Sequence, residues 1–415
     1  MIIIYRILIN IIIFFSPIII FIRLWYNKEH PKRYKEKYGV SSKIKKKGKL
    51  IWFHGSSVGE ILSILPIIEK LEQKTDIKQI LVTSNTLSSS KVIEKFGLKK
   101  TIHQFFPIDS TIIIKKFLDY WQPSSALFVE SEIWPNTIIE IKNRGIPLLL
   151  VNGRITKKSF KRWKAIDTFS RTIFSKFDLC LTQNNQTTIF LKNLGSKKIL
   201  NIGNLKYAEN INFKNDKINL KTEKFLNLKS KIFIAVSTHK NEEEFCAKLH
   251  KNIKLIYPNI LTIIIPRHID RVSSILDDIN KYNLKIHLHS SKKIIQDKTD
   301  IYLVDTFGET KSFLKKGKIV FLGGSLIKHG GQNPLEAARY GCKIIHGPHI
   351  FNFSEVYKFL EKYNITTKIN NHKKALSIIT KELKNKKSFK NNQLVLSKVG
   401  KNILFKNYNE LSKYI

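Results

Sequence analysis

The chain has 415 residues, too many for one ordinary core, and its 42% hydrophobic content can bury two domains and excludes global disorder. Its 73 Lys+Arg against 32 Asp+Glu give a formal net charge of +41; part of this is an Ile/Lys/Asn-rich composition, and the charge reads either as a solvated lysine surface or as attraction to a polyanion, nucleic acid or an acidic membrane face. Cys180, Cys246 and Cys342 lie far apart with no CxxC spacing, which excludes a disulfide framework and a cysteine-based zinc site.

Residues 7–22 (ILINIIIFFSPIIIFI) form a charge-free run of 16 between Arg6 and Arg23, slightly short of the ~20 expected of a spanning helix. No small-residue cleavage site follows; Arg23, Trp25, Tyr26 and Lys28 follow instead. That pattern predicts an uncleaved N-terminal membrane anchor over 1–26 rather than a signal peptide. Ten Lys/Arg between Lys28 and Lys49 place the flank on the cytoplasmic side. Each adds about 1 kcal/mol of attraction to anionic lipid. Aromatic residues sit within apolar runs instead of alternating with Lys/Arg, so the membrane reading is preferred to nucleic acid.

Past the anchor, short β-branched runs alternate with amphipathic stretches. Strands are predicted at Leu50–Phe53, Ile80–Thr83, Ala126–Val129, Pro147–Val151 and Asp178–Leu181. A second series is predicted at Ile232–Val236, Leu261–Ile265, Ile301–Val304, Ile319–Leu322 and Lys343–His346. Helices are expected between them, as at Ile61–Glu72 and Thr111–Trp121. Near-continuous apolar strands separated by helices predict parallel sheets covered on both faces. The expected organisation is α/β: an N-terminal Rossmann-like domain over 27–207, a polar linker over 208–230, and a C-terminal Rossmann-like domain over 231–415. Two doubly wound domains facing each other across a cleft make the GT-B architecture, which by itself names no reaction.

Four motifs carry chemistry. HGSSVGE (His54–Glu60) follows the first strand and puts Glu60 at a helix start. A carboxylate there can be a general base, or can complement the helix dipole. VESEIWPN (Val129–Asn136) sets Glu130 and Glu132 on one face of a strand end, where they are either functional or solvated. IIIPRHIDR brings Arg267 and His268 out of a buried strand; the cation suits a phosphate or carboxylate, or a surface ion pair. GGSLIKHGGQNPLEAARYG (Gly323–Gly341) follows a strand and precedes a helix with Asn333 at the cap, Pro334 at the first position and Glu336 at the third. Such a helix start is expected to offer N–H groups to a phosphate, or to be a plain capped turn. The spacing is neither GxGxxG nor a Walker loop. His54, His239, His268, His346 and His349 lack metal-ligand spacing, so no metal and no cofactor is expected.

On these residues the chain resembles the Kdo transferases (Kdo is 3-deoxy-D-manno-octulosonic acid) over nearly its whole length. The collinear matches include RYKEKYG (33–39), HGSSVGE (54–60), ESEIWPN (130–136), LVNGR (150–154), GNLKY (203–207) and STHKNEE (237–243). They continue with PRH (266–268), DTFGE (305–309), GGSLIKHGGQNPLE (323–336) and GPHIFNF (347–353). The resemblance implies a metal-independent, inverting transferase that moves Kdo from CMP-Kdo onto the 6′-hydroxyl of the lipid A precursor (lipid IVA) at the cytoplasmic face of a bacterial inner membrane. By the same resemblance Glu60 is the proton acceptor, and Glu130 and Lys206 support the transition state. Pro266, Arg267, Phe307, Gly308, Glu309, Asn333, Pro334, Leu335 and Glu336 then hold CMP. Gln332 departs from the family pattern, which has His there, and Gly55 replaces an alanine-like residue. The competing readings are another GT-B transferase with a nucleotide sugar and a lipid-linked acceptor, and a basic peripheral membrane scaffold without activity.

Overall fold

Among the described residues, fourteen strands build two parallel sheets of seven. The computed structural model describes residues 1–208, 218–385 and 388–415. The first sheet contains β1 (Lys49–His54), β2 (Ile77–Ser84), β3 (Thr101–Phe105), β4 (Ser125–Val129), β5 (Leu148–Gly153), β6 (Leu179–Thr182) and β7 (Ile199–Asn201). Its order is β3-β2-β1-β4-β5-β6-β7. The second contains β8 (Lys231–Thr238), β9 (Ile260–Pro266), β10 (Ile286–Leu288), β11 (Ile301–Leu303), β12 (Ile319–Leu322), β13 (Lys343–His346) and β14 (Thr366–Lys368). Its order is β10-β11-β9-β8-β12-β13-β14. Both sheets are doubly wound, and the fold is of the GT-B type. In each the strand order reverses beside the first strand, between β1 and β4 and between β8 and β12. Loops leaving the carboxyl ends of strands at such a reversal are where open α/β sheets bind ligands.

Helices on both faces explain the apolar strands. In the first unit Trp52, Phe117 and Phe128 meet in the core, with the Trp52 and Phe117 rings 4.9 Å apart. In the second, Phe233, Ile264 and Phe321 pack with Cys246, Leu249 and Ile253 of the helix Glu242–Ile256. All three cysteines are buried and unpaired. Helix α1 (Ile2–Trp25) is the apolar N-terminal element, and α2 (Val58–Glu72) follows β1. Ser57 caps α2, accepting from the Glu60 N–H, while Ile61, Ile64, Ile68 and Leu71 turn one stripe inward.

The chain divides into unit 1, Met1–Asn210 with Val399–Ile415, and unit 2, Ile211–Lys398. Three expected boundaries differ from this division. The segment 1–26 groups with unit 1, to which α1 is hydrogen-bonded through Tyr5, Arg6 and Ser16. The expected linker contains the helix Leu220–Leu228, which buries Phe225 and Leu226 in unit 2, while residues 209–217 lie outside the described residues. The last helix, Ser388–Leu411, ends in unit 1 because its residues pack there. A Cβ on Gly400 would lie 2.3 Å from the Tyr207 carbonyl, and Ile403 abuts Gly203.

Candidate active site

His54 ends β1 at the strand-order reversal of unit 1. Its ring is buried, with Nδ1 3.0 Å from Thr83 Oγ1 and Nε2 3.1 Å from Glu132 Oε2. Trp134 Nε1 donates to the same carboxylate oxygen at 2.9 Å. Burial works to raise Glu132, but the bonds from His54 and Trp134 hold it below the usual carboxylate range. An ionised Glu132 therefore faces Glu60.

Glu60 occupies the third position of α2. Its Oε2 accepts from the Ser56 N–H and its Oε1 from Ser57 Oγ, both at 2.8 Å, while its own N–H reaches Ser57 Oγ at 3.4 Å. That is a reciprocal cap, so the helix-start alternative is physically present. Capping alone does not raise a carboxylate. Burial first, and the Glu132 charge second, push Glu60 up to about 7, with a smaller contribution from Glu130. A carboxylate poised there can exchange a proton at neutral pH.

Glu130 leaves β4 with a φ of 55°, a left-handed backbone that costs a non-glycine residue of order 1–2 kcal/mol. Two hydrogen bonds hold it, Glu130 N–H to the Val151 carbonyl at 3.0 Å and Arg154 N–H to the Glu130 carbonyl at 3.2 Å. The turn points the carboxylate at Lys206, whose Nζ donates to Glu130 Oε1 at 2.6 Å. Lys206 sits in the short 3₁₀ helix Leu205–Ala208, anchored by Leu205 N–H on Asn152 Oδ1 at 3.0 Å. The three residues singled out in unit 1 thus come together.

In unit 2 the reversal between β8 and β12 is organised by Glu242, a buried carboxylate that was not singled out from the sequence. Its Oε2 accepts from Gly324 N–H at 2.7 Å and His239 N–H at 3.0 Å. Its Oε1 accepts from Ser325 N–H at 3.0 Å and Leu326 N–H at 2.9 Å. Gly323 must be glycine, since a Cβ there would lie 2.3 Å from the Ser237 carbonyl. The N–H groups of Gly324, Ser325 and Leu326 are therefore spent inward on Glu242 and are not offered to a phosphate. The helix after the loop, Leu335–Arg339, has five residues and has Pro334 rather than Asn333 at its cap position. Asn333 Oδ1 still accepts from Leu335 N–H at 3.1 Å. The helix is a single turn, so its dipole is small.

Arg267 leaves β9 directly after Pro266, its N–H bonded to the Thr238 carbonyl at 3.0 Å and its side chain exposed. Among the described residues no carboxylate pairs with it. The buried His239 ring lies 4.2 Å from His329 and 5.8 Å from His268. Burial and these two neighbours bring His239 down to about 4, so it is neutral at pH 7. Gln332 Nε2 is 3.5 Å from His239 Nε2. Phe307 is 73% exposed, an apolar ring open for stacking. Beside it Glu309 Oε2 is 2.9 Å from His289 Nε2. Lys311 Nζ, in the helix that follows Glu309, is 3.8 Å from Glu336 Oε1, which brings the segments 307–311 and 333–336 together.

Residues 32–209 match the family described as 3-deoxy-D-manno-octulosonic-acid transferase (kdotransferase). A 3-deoxy-D-manno-octulosonic acid transferase of Rickettsia felis is 36% identical over 336 residues, 80% of this chain and 71% of the relative. The chain belongs to the Kdo transferase family. A second member, from Haemophilus influenzae, is 30% identical over 370 residues, 88% of this chain and 85% of the relative. Among solved structures, the UDP-GlcNAc 2-epimerase of Neisseria meningitidis bound to UDP-GlcNAc is 12% identical and superposes with a TM-score of 0.57 over 88% of this chain and 99% of its own, a likeness of fold. Kdo transfer is thus the activity that this membership supports for the chain. Glu242 belongs to the STHKNEE segment, but three of its four partners lie more than 80 residues further on, a relation no local spacing reveals.

Proposed function

We propose that the chain transfers Kdo from CMP-Kdo to the 6′-hydroxyl of the lipid A precursor with inversion, using Glu60 as general base. The observation that carries this reading is Glu60 itself, half-buried at the mouth of β1 and raised to about 7. In the transfer Glu60 takes the proton of the acceptor hydroxyl as its oxygen attacks the anomeric carbon of Kdo. The bond from that carbon to the CMP phosphate breaks, and the electron pair leaves with CMP. Lys206, set against Glu130, stabilises negative charge building at the reacting centre. In unit 2 Arg267 pairs with the phosphate or the Kdo carboxylate, Phe307 stacks on cytosine, and Glu336 accepts from a ribose hydroxyl. Pro266, Gly308, Glu309, Asn333, Pro334 and Leu335 shape the wall around the nucleotide. The step as written assigns no role to a metal ion. Gln332 keeps a donor beside the neutral His239 without adding a cation.

The acceptor, a phosphorylated lipid, accounts for the charge and the apolar N-terminus. In this reading α1 and the basic stretch Lys28–Lys49 hold unit 1 on the cytoplasmic face of the inner membrane, where anionic lipid attracts it.

The pH–rate profile tests the base assignment. A raised folded pKa means that the fold favours protonated Glu60. Its stabilising contribution is full below about 4.5, the ordinary value, and is lost as pH rises through about 7. Catalysis needs the ionised form and runs the opposite way. We expect kcat/KM to rise with pH along a limb centred near 7, and Glu132→Gln to move that limb to lower pH by removing the neighbouring charge. A limb unmoved by Glu132→Gln would assign the titration to another group.

A further inference from the structure

In α1 the half-buried and buried positions are Ile2, Tyr5, Arg6, Ile9, Ile13, Ser16, Ile20, Arg23 and Leu24. They recur every three or four residues and form one stripe along the whole helix. Polar bonds run along the same stripe. Tyr5 Oη donates to Asp109 Oδ2 at 2.6 Å, and Arg6 Nε donates to Asn136 Oδ1 at 3.1 Å. Eleven residues on from Tyr5, about 16 Å along the axis, Ser16 Oγ meets Tyr38 Oη at 2.8 Å. At the far end Arg23 pairs with Glu29, which also takes Lys37. Asp109 is buried and gathers the Asn136 and Thr137 N–H groups and the Thr137 hydroxyl, so Tyr5 docks on a fixed point of unit 1. The remaining face is exposed and apolar apart from Asn10, and includes Ile4, Ile11, Phe14, Phe15, Ile18 and Phe21.

We infer that α1 lies in the plane of the cytoplasmic leaflet, clamped along its length to unit 1, and does not cross the bilayer. This rests on the membrane reading above and specifies its geometry. A helix that spans the hydrocarbon would carry Asp109, Asn136 and Tyr38 into it, or would abandon all three. The charge-free run of 16 residues measures about 24 Å against a hydrocarbon core of about 30 Å. Lying flat, the helix inserts only its outer face, about 5–10 Å deep. Pro17 is compatible with that environment: the carbonyl it leaves without an N–H partner, that of Ile13, accepts from Ser16 Oγ at 2.7 Å.

The test puts a single cysteine on a short Gly/Ser extension ahead of Met1 of the full chain, where the buried native cysteines stay silent. Inner-membrane vesicles of both orientations then receive a membrane-impermeant maleimide. The flat helix predicts labelling in inside-out vesicles only; labelling in right-side-out vesicles only would overturn it. Fluorophores at Ile4→Cys and Phe21→Cys, near opposite ends of the exposed face, should report the same shallow depth, whereas opposite leaflets mean a spanning helix. Flotation with phosphatidylethanolamine–phosphatidylglycerol vesicles separates the two levels. No flotation sinks the membrane reading itself, and a lipid-free dimer closed through α1 would give the apolar face to a second copy instead.

Discussion

Glu60→Gln is expected to cut turnover by about 10²–10⁴-fold, the range for losing a general base, while CMP affinity stays unchanged. The amide keeps the size of the carboxylate and can still accept at the cap of α2, but it has no basic lone pair to take the hydroxyl proton. Thermal stability separates the two roles of the residue. If Glu60 served only the helix start, its loss would cost about 0.3–1 kcal/mol and leave turnover nearly intact. A base whose ionised form is disfavoured by burial and by Glu132 gives the reverse pattern, with a stable protein and little product. Single-turnover rates and melting curves on one variant distinguish these. Near wild-type transfer by Glu60→Gln would pass the base role to Glu130.

Glu242→Gln should be the most damaging substitution in unit 2. The carboxylate accepts four backbone N–H groups, from His239, Gly324, Ser325 and Leu326. An amide offers one acceptor oxygen, and its NH₂ group would confront the other two donors. Two buried donors left without a partner cost roughly 2–6 kcal/mol at 1–3 each. The Gly323–Leu326 loop should then lose its shape, and with it the proposed seat of the nucleotide. We expect a lower melting temperature together with weakened CMP binding by calorimetry, and stability regained but binding still impaired when CMP is in excess. Unchanged CMP affinity in a folded variant would remove Glu242 from the support of the donor site.

The central strands were legible from sequence because burial on both faces favours apolar runs, as in IVFL of β12 or the LLLV that opens β5. The four strands that escaped prediction, β3, β7, β10 and β14, are the two edges of each sheet. An edge strand pairs on one side and meets water on the other, so TIHQF, ILN, IHL and TTK carry mixed polarity and little length. The candidate site in unit 1 could be proposed from sequence because HGSSVGE places Glu60 within one turn of a strand end. The clamp on α1 was not, since Tyr5 and Asp109 are joined only by tertiary packing. The glycines of the loop signal close approach to the protein itself: a Cβ on Gly323 would meet the Ser237 carbonyl and one on Gly330 the Asn352 side chain.

Product analysis tests the central claim most directly. Purified protein given CMP-Kdo and detergent-dispersed lipid A precursor should yield a lipid heavier by the mass of Kdo together with an equal amount of CMP, and the Glu60→Gln protein should yield neither at a comparable rate. Release of CMP with unmodified lipid, or transfer to the lipid from a different nucleotide sugar in preference to CMP-Kdo, would contradict the account.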